Sequence, residues 1–308
     1  MNPAPYFSVI TPSFNQGPFL EGAIQSVLAQ GDPDFEHLVL DNCSTDGTRE
    51  VLARHPHLRT RIEPDSGQSD ALNKGFRAAR GEIICWLNAD DEYLPGAFAA
   101  VRRAMSEPGV DVVFGEAEEV FFDGRPPVIR QPRFERREDL LFWWEKRVDL
   151  LQPAVFFRRR LVEEAGPLRE DLHFVMDAEF WWRISAGHPF HHLPVPLARQ
   201  LRQPDSKTVK NGERIYLEKA RVFEPLLHAA YPQRRFSHIL ARRRRMGRRY
   251  LSLAQFTGPA RRDAARELLR LAVRENPLLL LTSAWWKTRL HLRFGSARPA
   301  APHPPASP

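Results

Sequence analysis

The chain has 308 residues, of which 43% are hydrophobic, a formal net charge of +7 and two cysteines. This length allows one large domain with an appendage, and the composition is typical of a globular protein with an ample core. Two cysteines are too few for a disulfide framework. No apolar run approaches the roughly 20 residues of a membrane-spanning helix, and no basic segment precedes the first apolar one, as it would in a signal peptide. We therefore expect a cytoplasmic chain.

The first part of the chain alternates between strand and helix patterns. Runs of β-branched and aromatic residues predict strands at 7–11, 35–40, 58–62 and 83–87, with helices at 18–30, 48–53 and 68–80 between them. Strands that alternate with helices at this spacing form right-handed βαβ units. The predicted fold class is therefore α/β, with a mostly parallel βαβ sheet.

The pattern changes twice further along the chain. It predicts a helix at 95–105, a strand at 110–114 with a hairpin partner at 115–122, a strand at 154–157, helices at 159–165 and 177–186, and a proline-bracketed edge strand at 190–195. Helices alone follow, at 209–228, 235–251, 259–274 and 277–294. We therefore predict an α/β domain at 1–207, a helical C-terminal extension at 208–294 and a Pro-rich disordered tail at 295–308.

The positive charge is concentrated at the C-terminus. Residues 232–308 contain 17 Lys and Arg against 3 Asp and Glu, a net charge of +14, which leaves −7 for the first 231 residues. Arginines beside Trp285 and Trp286 are typical of a helix that lies on an anionic membrane surface. We therefore expect residues 235–294 to contact such a surface, on the inner face of the cell membrane. The open alternative is a solvated basic face. Arginine clusters alone bind phosphates without specificity, so no specific nucleic acid is expected.

The stretch GEIICWLNADD, residues 81–91, combines a buried strand with acids at its end. Five successive apolar residues suit a strand that is covered on both faces of a parallel sheet. Asp90 and Asp91 then follow where such sheets bind their ligands. Two adjacent acids repel each other unless a cation bridges them, and carboxylates suit Mg²⁺ or Mn²⁺. The alternative is that one of them caps a helix that begins near Pro95.

Polar loops follow each of the four predicted parallel strands, at 11–15, 41–46, 65–74 and 88–91. Because the carboxyl ends of parallel strands meet at one edge of a sheet, these loops should line one pocket. The pocket has acids, amides and one lysine, without a GxGxxG or a Walker A loop. This composition suits a nucleoside diphosphate derivative that arrives with its own divalent ion.

At these positions the chain resembles the family 2 glycosyltransferases of the GT-A fold. The stretches that carry the resemblance lie between residues 7 and 195: SVITPSFNQGPFLEGAIQSVLAQ, EHLVLDNCSTDGT, EPDSGQSDALNKGFRAARGEIICWLNADD and QPAVFFRRRLVEEAGPLREDLHFVMDAEFWWRI. The resemblance implies transfer of a sugar with inversion from a nucleotide-diphosphate sugar, with UDP as the expected nucleotide and Mn²⁺ or Mg²⁺ as the cofactor. It implies as acceptor a hydroxyl of a glycan or of a lipid-linked acceptor in cell-envelope polysaccharide synthesis.

The resemblance also implies a set of nucleotide-binding residues, which are Thr11, Pro12, Ser13, Asn15, Asp41, Asp65, Gln68, Lys74, Asn88 and Asp90. Within this set Asp41 would accept a hydrogen bond from the uracil N–H, and Lys74 would border the diphosphate. The alternatives from the residues themselves are an Asx turn for Asp41 and an ion pair between Lys74 and Asp70, one helical turn away.

The metal and the catalytic base follow from the same resemblance. Asp90 matches the last acid of the DXD motif and is the expected metal ligand, with Asp91 as a second one. Asn88 departs from the motif, because an amide adds no charge to hold the ion. The expected base is Asp177, at the start of a predicted helix. For Glu179, two residues on, a salt bridge is as good an interpretation as a catalytic role.

Two other functions remain open from the sequence. A sugar-phosphate nucleotidyltransferase shares a βαβ nucleotide site, but it would need a Gly- and Arg-rich loop where this chain has TPSFNQG. A degenerate protein that binds a nucleotide sugar without turnover is favoured by Asn88 and opposed by Asp177. The QxxRW motif of processive members is absent, since Gln200-Leu201-Arg202 lacks the tryptophan, so we expect one sugar per encounter.

Overall fold

The computed structural model describes residues 4–122, 124–142, 150–202, 212–256 and 262–294. By its internal contacts the chain divides into two compact units, Met1–Val222 and Phe223–Pro308. The predicted boundary after residue 207 and the predicted tail both lie outside the described residues.

The first unit is built on a mixed sheet. Within the described residues its strands are β1 (Phe7–Ser13), β2 (Phe35–Asp41), β3 (Arg59–Ile62), β4 (Ile83–Trp86), β5 (Asp91–Tyr93), β6 (Val112–Phe121), β7 (Val128–Arg130), β8 (Val155–Arg158) and β9 (Phe190–Arg202). The order is β3-β2-β1-β4-β8-β6-β9-β5, with β7 paired to β6. The first four strands of this order are parallel, as predicted, whereas β8 is antiparallel to both of its neighbours. The predicted α/β class is confirmed.

The helices of the first unit bury faces on which apolar residues repeat with helical spacing. They are α1 (Gly17–Leu28), α2 (Thr48–Ala53), α3 (Gln68–Ala78), α4 (Ala97–Met105), α5 (Arg160–Ala165) and α6 (Met176–Ile184). The β4 residues are at most 2% exposed, so this strand is covered on both faces, as its apolar run predicts. Helix α3 lies so close to β1 that a Cβ on Gly75 would overlap Ile10. The parallel half thereby holds the loops after β1, β2 and β4 against a rigid core.

The predicted hairpin at 115–122 is wrong. Strand β6 runs without a turn from Val112 to Phe121 and pairs in parallel with β9. Gly115 marks a close approach within this strand, because a Cβ there would overlap Leu197 of β9. The turn at Gly124 instead connects β6 to β7, and these two strands pair antiparallel.

The predicted edge strand at 190–195 is wrong in both length and place. Strand β9 has 13 residues and lies between β6 and β5. Prolines are tolerated there because the register between β6 and β9 shifts at Glu116, which lies opposite Pro196. Strand β5 was not predicted, because its three residues follow the acid pair directly and resemble a turn. The pairing of β5 with β9 places Asp91 opposite Gln200.

The second unit is helical, as predicted. Helix α7 (Gly212–Ala230) crosses the division at Val222, and α8 (Arg235–Phe256), α9 (Arg262–Glu275) and α10 (Ser283–Phe294) follow. A short 3-10 helix at Pro277–Leu281 separates α9 from α10. Among the described residues, no helix combines the length and apolar character needed to cross a membrane.

Candidate functional site

A cleft of about 870 Å³ opens in the first unit where the loops after β1, β2 and β4 meet. Nine of the twelve predicted site residues line it: Pro12, Ser13, Asn15, Asp65, Gln68, Asn88, Asp90, Asp91 and Asp177. The convergence follows from the topology, since β2, β1 and β4 are adjacent parallel strands. The structure thus brings together acids and amides from distant parts of the sequence.

Three predicted residues do not line the cleft. Thr11 is fully buried, and its Oγ1 lies 2.9 Å from Nε2 of His37. Burial lowers the pKa of His37 to about 3, so this imidazole stays neutral. The Asp41 carboxylate is 1% exposed and accepts hydrogen bonds from the backbone N–H and the hydroxyl of Ser44. Asp41 therefore shapes the loop after β2 through a local contact, as in the turn alternative, although the N–H that it binds is three residues on rather than the two of an Asx turn.

Lys74 is the third of these residues. Its ammonium donates to the carbonyl of Pro64 at 2.8 Å and lies 3.2 Å from the Asp70 carboxylate and 3.8 Å from that of Glu63. The ion pair within helix α3 was the alternative interpretation of the sequence. In this structure the ammonium fastens α3 to the loop that precedes it.

The loops after β1 and β2 support each other. The Asn15 carboxamide oxygen accepts from the Thr45 N–H, and the Asn15 N–H donates to the Ser44 hydroxyl. Asn15 has a φ of 51°, a left-handed conformation that asparagine adopts more readily than most residues. Next to this contact, Asn42 and Asp65 bind each other by two hydrogen bonds of 3.0 Å. Asn42 lines the cleft and was missed, although it directly follows Asp41.

Asn88 lies at the centre of a hydrogen-bond network. Its carboxamide oxygen accepts from Gln68 Nε2 at 2.9 Å and from Trp86 Nε1 at 3.0 Å. Its nitrogen donates to Asp91 Oδ2 and to Gln152 Oε1, both at 2.9 Å. An aspartate here would lose both donors and add a carboxylate beside Asp91, which is buried. The network therefore requires an amide, which gives a structural reason for the departure from the DXD motif.

Burial perturbs the two adjacent acids of the cleft. Burial raises the pKa of Asp90. Burial and then the charge of Asp90 raise the pKa of Asp91 to about 8. Arg202 partly opposes both shifts, and it also pairs with Glu119 at 2.5 Å. Arg202 lines the cleft and was missed, because the edge-strand prediction ended seven residues before it.

The acid pair suits a hard divalent cation. Carboxylates that burial makes costly to ionise gain most from a bound ion, and Asp90 reaches the cleft from its half-buried position. Among the described residues no three His, Cys, Asp or Glu side chains form a metal-binding group. Mg²⁺ is usually held by one or two carboxylates together with substrate phosphates, and the adjacent pair Asp90 and Asp91 supplies two.

Asp177 occupies the first turn of α6 and lines the same cleft. Its Oδ1 accepts from the Ala178 N–H at 2.7 Å, and burial raises the pKa of the carboxyl. Glu179 has a different environment, because Arg183 binds it at 3.0 Å and also donates to the carbonyl of Gly166. The salt-bridge interpretation of Glu179 thus agrees with its contacts, and Asp177 is the acid of α6 that reaches the cleft.

Helix α6 is capped by a carboxylate from α7. Glu218 accepts hydrogen bonds from the backbone N–H groups of His173, Phe174 and Val175, at distances from 2.6 to 3.1 Å. These groups precede the first residue of α6 and have no partner within the helix. A negative charge at a helix N-terminus is also favourable to the helix dipole. Glu218 therefore fixes the segment that carries Asp177, a contact that local sequence patterns could not reveal.

Comparisons with known proteins show what this chain is similar to. TuaG of Bacillus subtilis, whose name assigns it to teichuronic acid biosynthesis as a glycosyltransferase, is 39% identical over 94 residues, which are 29% of this chain and 37% of TuaG. The chain therefore spans little more than a third of the length of that relative.

Two solved structures are similar in fold to most of the chain. S. aureus TarS 1-349 in complex with UDP has a TM-score of 0.55 at 17% identity, over 94% of this chain and 92% of TarS. The mannosyltransferase PcManGT from Pyrobaculum calidifontis, in complex with GDP-Man and Mn²⁺, also has a TM-score of 0.55, at 21% identity, over 95% of this chain and 88% of its own. At these identities the similarity concerns the fold.

The assignment comes from the sequence pattern of one family. The model described as Glycosyl transferase family 2 matches residues 8–166, which is more than half of the chain and contains β1 to β8 with the acid pair. The chain therefore belongs to glycosyltransferase family 2.

Proposed function

We propose that the protein transfers one sugar, with inversion, from a nucleotide-diphosphate sugar to a hydroxyl group, and that the transfer needs Mn²⁺ or Mg²⁺. The observation that carries this proposal is the lining of one cleft by Asp90, Asp91 and Asp177. The acid pair and Asp177 are distant in sequence, and they suit different tasks in sugar transfer, the pair as metal ligands and Asp177 as the base.

The donor binds along the loops after β1, β2 and β4. Pro12, Ser13 and Asn15 border the nucleotide from one side, and the Asn42–Asp65 pair borders it from the other. UDP is the nucleotide that we propose. Support comes from the fold shared with TarS, whose structure holds UDP, although PcManGT with the same fold holds GDP-Man.

The catalytic step is a displacement at the anomeric carbon. The Asp177 carboxylate takes the proton of the acceptor hydroxyl while that oxygen forms its bond to the anomeric carbon, and the bond from this carbon to the diphosphate breaks. A carboxyl whose pKa is raised is a stronger base than an ordinary aspartate, so its environment supports this role. Asp90 and Asp91 would hold the divalent ion, which when bound supplies charge stabilisation for the departing diphosphate.

The acceptor is a glycan or a lipid-linked acceptor of cell-envelope polysaccharide synthesis. The role printed in the name of TuaG supports this context. The catalytic domain comprises residues 1–207 and is cytoplasmic, and the basic region 235–294 holds it at the inner face of the membrane. The excess of Lys and Arg in that region supports the location.

Nucleotide binding provides the test of the proposed function. Because a ligand that binds only the folded state raises its stability, UDP with Mn²⁺ should raise the melting temperature more than UDP with a chelator. GDP under the same conditions is the control for the nucleobase. Stabilisation by GDP but not by UDP would mean that the donor is a GDP-sugar. Release of UDP from UDP-sugars is then measured. Stabilisation without release from any donor would favour a protein that binds nucleotide sugars without turnover.

Glu218 should affect catalysis through Asp177. Replacing Glu218 by Ala removes the cap of α6, and we expect kcat to fall about tenfold and the free energy of unfolding by about 1 to 2 kcal/mol. The KM for the donor should not change, since Glu218 does not line the cleft. Burial is the main cause of the raised pKa of Asp177, and the charge of Glu218 adds to it. Glu218→Gln keeps an acceptor but loses this charge, so the acid limb of its pH profile should move slightly to lower pH. A loss of stability without any shift of this limb would reduce Glu218 to a structural role.

A further inference from the structure

A second cavity, of about 750 Å³, lies within the second unit of the chain. This volume is in the range of small-molecule sites in proteins. We call this cavity the arginine groove. It is lined by Arg266, Leu269, Arg270, Val273, Arg274, Leu280, Trp285, Arg289 and Leu292.

The sequence of α9 explains one wall of the arginine groove. Arg266, Arg270 and Arg274 follow one another at intervals of four residues, so they share a face of the helix. Like charges at this spacing repel each other, and Glu267 and Glu275 offset part of this repulsion, at 3.0 Å from Arg270 and 3.7 Å from Arg274. The described residues that line the groove include four arginines and no acid, so the groove favours an anion.

The opposite wall belongs to α10. Arg289 lies over the ring of Trp285, with its guanidinium carbon 5.1 Å from the ring centre. Trp285 and Leu292 are at most 6% exposed and form the apolar floor together with Leu269 of α9. Among the described residues, the buried Nε1 of Trp285 has no hydrogen-bond partner. The groove thus combines a cationic rim with an apolar floor and an unused donor.

Large apolar side chains are exposed next to this groove. They are Leu278, Leu280, Leu281, Trp286 and Leu290, with exposed fractions between 38% and 83%. Apolar side chains that are exposed together with arginines are typical of a segment that enters the interfacial layer of a membrane. The groove therefore belongs to the part of the second unit that is best suited to approach lipid.

We propose that the arginine groove binds one molecule of a lipid with a phosphate or diphosphate head group. The arginines bind the phosphate and the floor binds the first part of the hydrocarbon chain. One such lipid complements both the charge of the rim and the apolar floor. A free anion would complement the rim alone, and a neutral chain the floor alone. The proposal rests on the proposed function in one respect, namely that such a lipid carries the acceptor.

Binding of farnesyl phosphate to the full chain tests the proposal. Native mass spectrometry and tryptophan fluorescence should report one molecule bound per chain. Farnesol and inorganic phosphate each offer half of the ligand. Each should bind at least about tenfold more weakly than farnesyl phosphate. Inorganic phosphate that binds as tightly as farnesyl phosphate would overturn the proposal, and so would farnesol with equal affinity.

Two double variants with the same change of charge separate the groove from the general basicity of the unit. Arg270→Gln with Arg274→Gln should weaken farnesyl phosphate about tenfold or more. Arg244→Gln with Arg248→Gln, at exposed positions that do not line the groove, should leave the affinity nearly unchanged. Equal weakening by both pairs would mean surface adsorption and would overturn the proposal.

Stabilisation by UDP is measured on the same samples. UDP with Mn²⁺ should stabilise both double variants as it does the native chain. If farnesyl phosphate binds as expected but no nucleotide does, the lipid site stands and the proposed sugar transfer fails. If nucleotide binds and farnesyl phosphate does not, the lipid site fails and the proposed sugar transfer stands.

Discussion

Replacing Asp177 by Asn should lower kcat by about 10²- to 10⁴-fold, the usual contribution of a general base. The amide has nearly the shape of the carboxylate but cannot take the proton of the acceptor hydroxyl. Affinity for UDP should remain, because Asp177 belongs to α6 whereas the proposed nucleotide site is built from the loops after β1, β2 and β4. Steady-state kinetics with a UDP-sugar, combined with UDP binding by calorimetry, checks both statements.

The pH dependence of the same variant gives an independent check. Burial raises the pKa of Asp177, so the base becomes protonated, and inactive, at a higher pH than an ordinary aspartate of pKa about 3.9. For the native enzyme kcat should therefore fall as the pH drops, with a midpoint above the usual aspartate range. In Asp177→Asn this acid limb should be absent from the residual activity.

Glu179→Gln is the matched control, since Glu179 lies on the same helix but is held by Arg183. We expect this variant to lose stability through the broken ion pair and to keep kcat within about twofold. A loss of kcat in Glu179→Gln as large as in Asp177→Asn, with the fold intact, would assign the base to Glu179.

Asp90→Asn should abolish the metal-dependent part of nucleotide binding. The change keeps the size of the side chain and removes its charge, so UDP should stabilise the variant equally with Mn²⁺ and with a chelator. A metal contributes several kcal/mol of charge stabilisation, so kcat/KM should fall by about 10²-fold or more. Thermal unfolding and UDP-sugar kinetics over a series of Mn²⁺ concentrations measure the two effects.

Glu163→Gln serves as the control for charge, because Glu163 is an exposed residue of α5 that pairs only weakly with Arg159. It should behave like the native enzyme at every Mn²⁺ concentration. If the native protein itself binds UDP equally well with Mn²⁺ and with a chelator, the role of Asp90 as a metal ligand is refuted.

The sequence predicted the parallel half of the fold and most of the cleft for a simple physical reason. Helix and strand periodicities are local, and a right-handed βαβ connection leaves little freedom in how successive parallel strands are arranged. Once β1, β2 and β4 are recognised, their following loops must meet at one edge. Asn88 and Asp90 could therefore be placed in a pocket from the strand that precedes them.

The direction of each side chain could not be predicted in the same way. Neighbouring residues of a strand point to opposite faces of the sheet. A shift of one residue therefore decides which of two neighbours is buried and which faces the cleft. Thr11 thus contacts His37 inside the sheet, whereas Pro12 lines the cleft. Asp41 likewise accepts a hydrogen bond from Ser44, whereas the next residue, Asn42, lines the cleft.

By itself, the sequence determined the α/β class, the family, the acid pair at the end of β4 and the basic character of the helical unit, since each depends on composition or on short-range order. The tertiary structure decided which distant residues complete the site. Gln152 reaches Asn88, Arg202 approaches the acid pair, and Glu218 caps the helix of Asp177. These contacts depend on how β8 and β9 pair with their neighbouring strands and on how α7 packs. Such long-range pairing leaves no periodic signal in the local sequence.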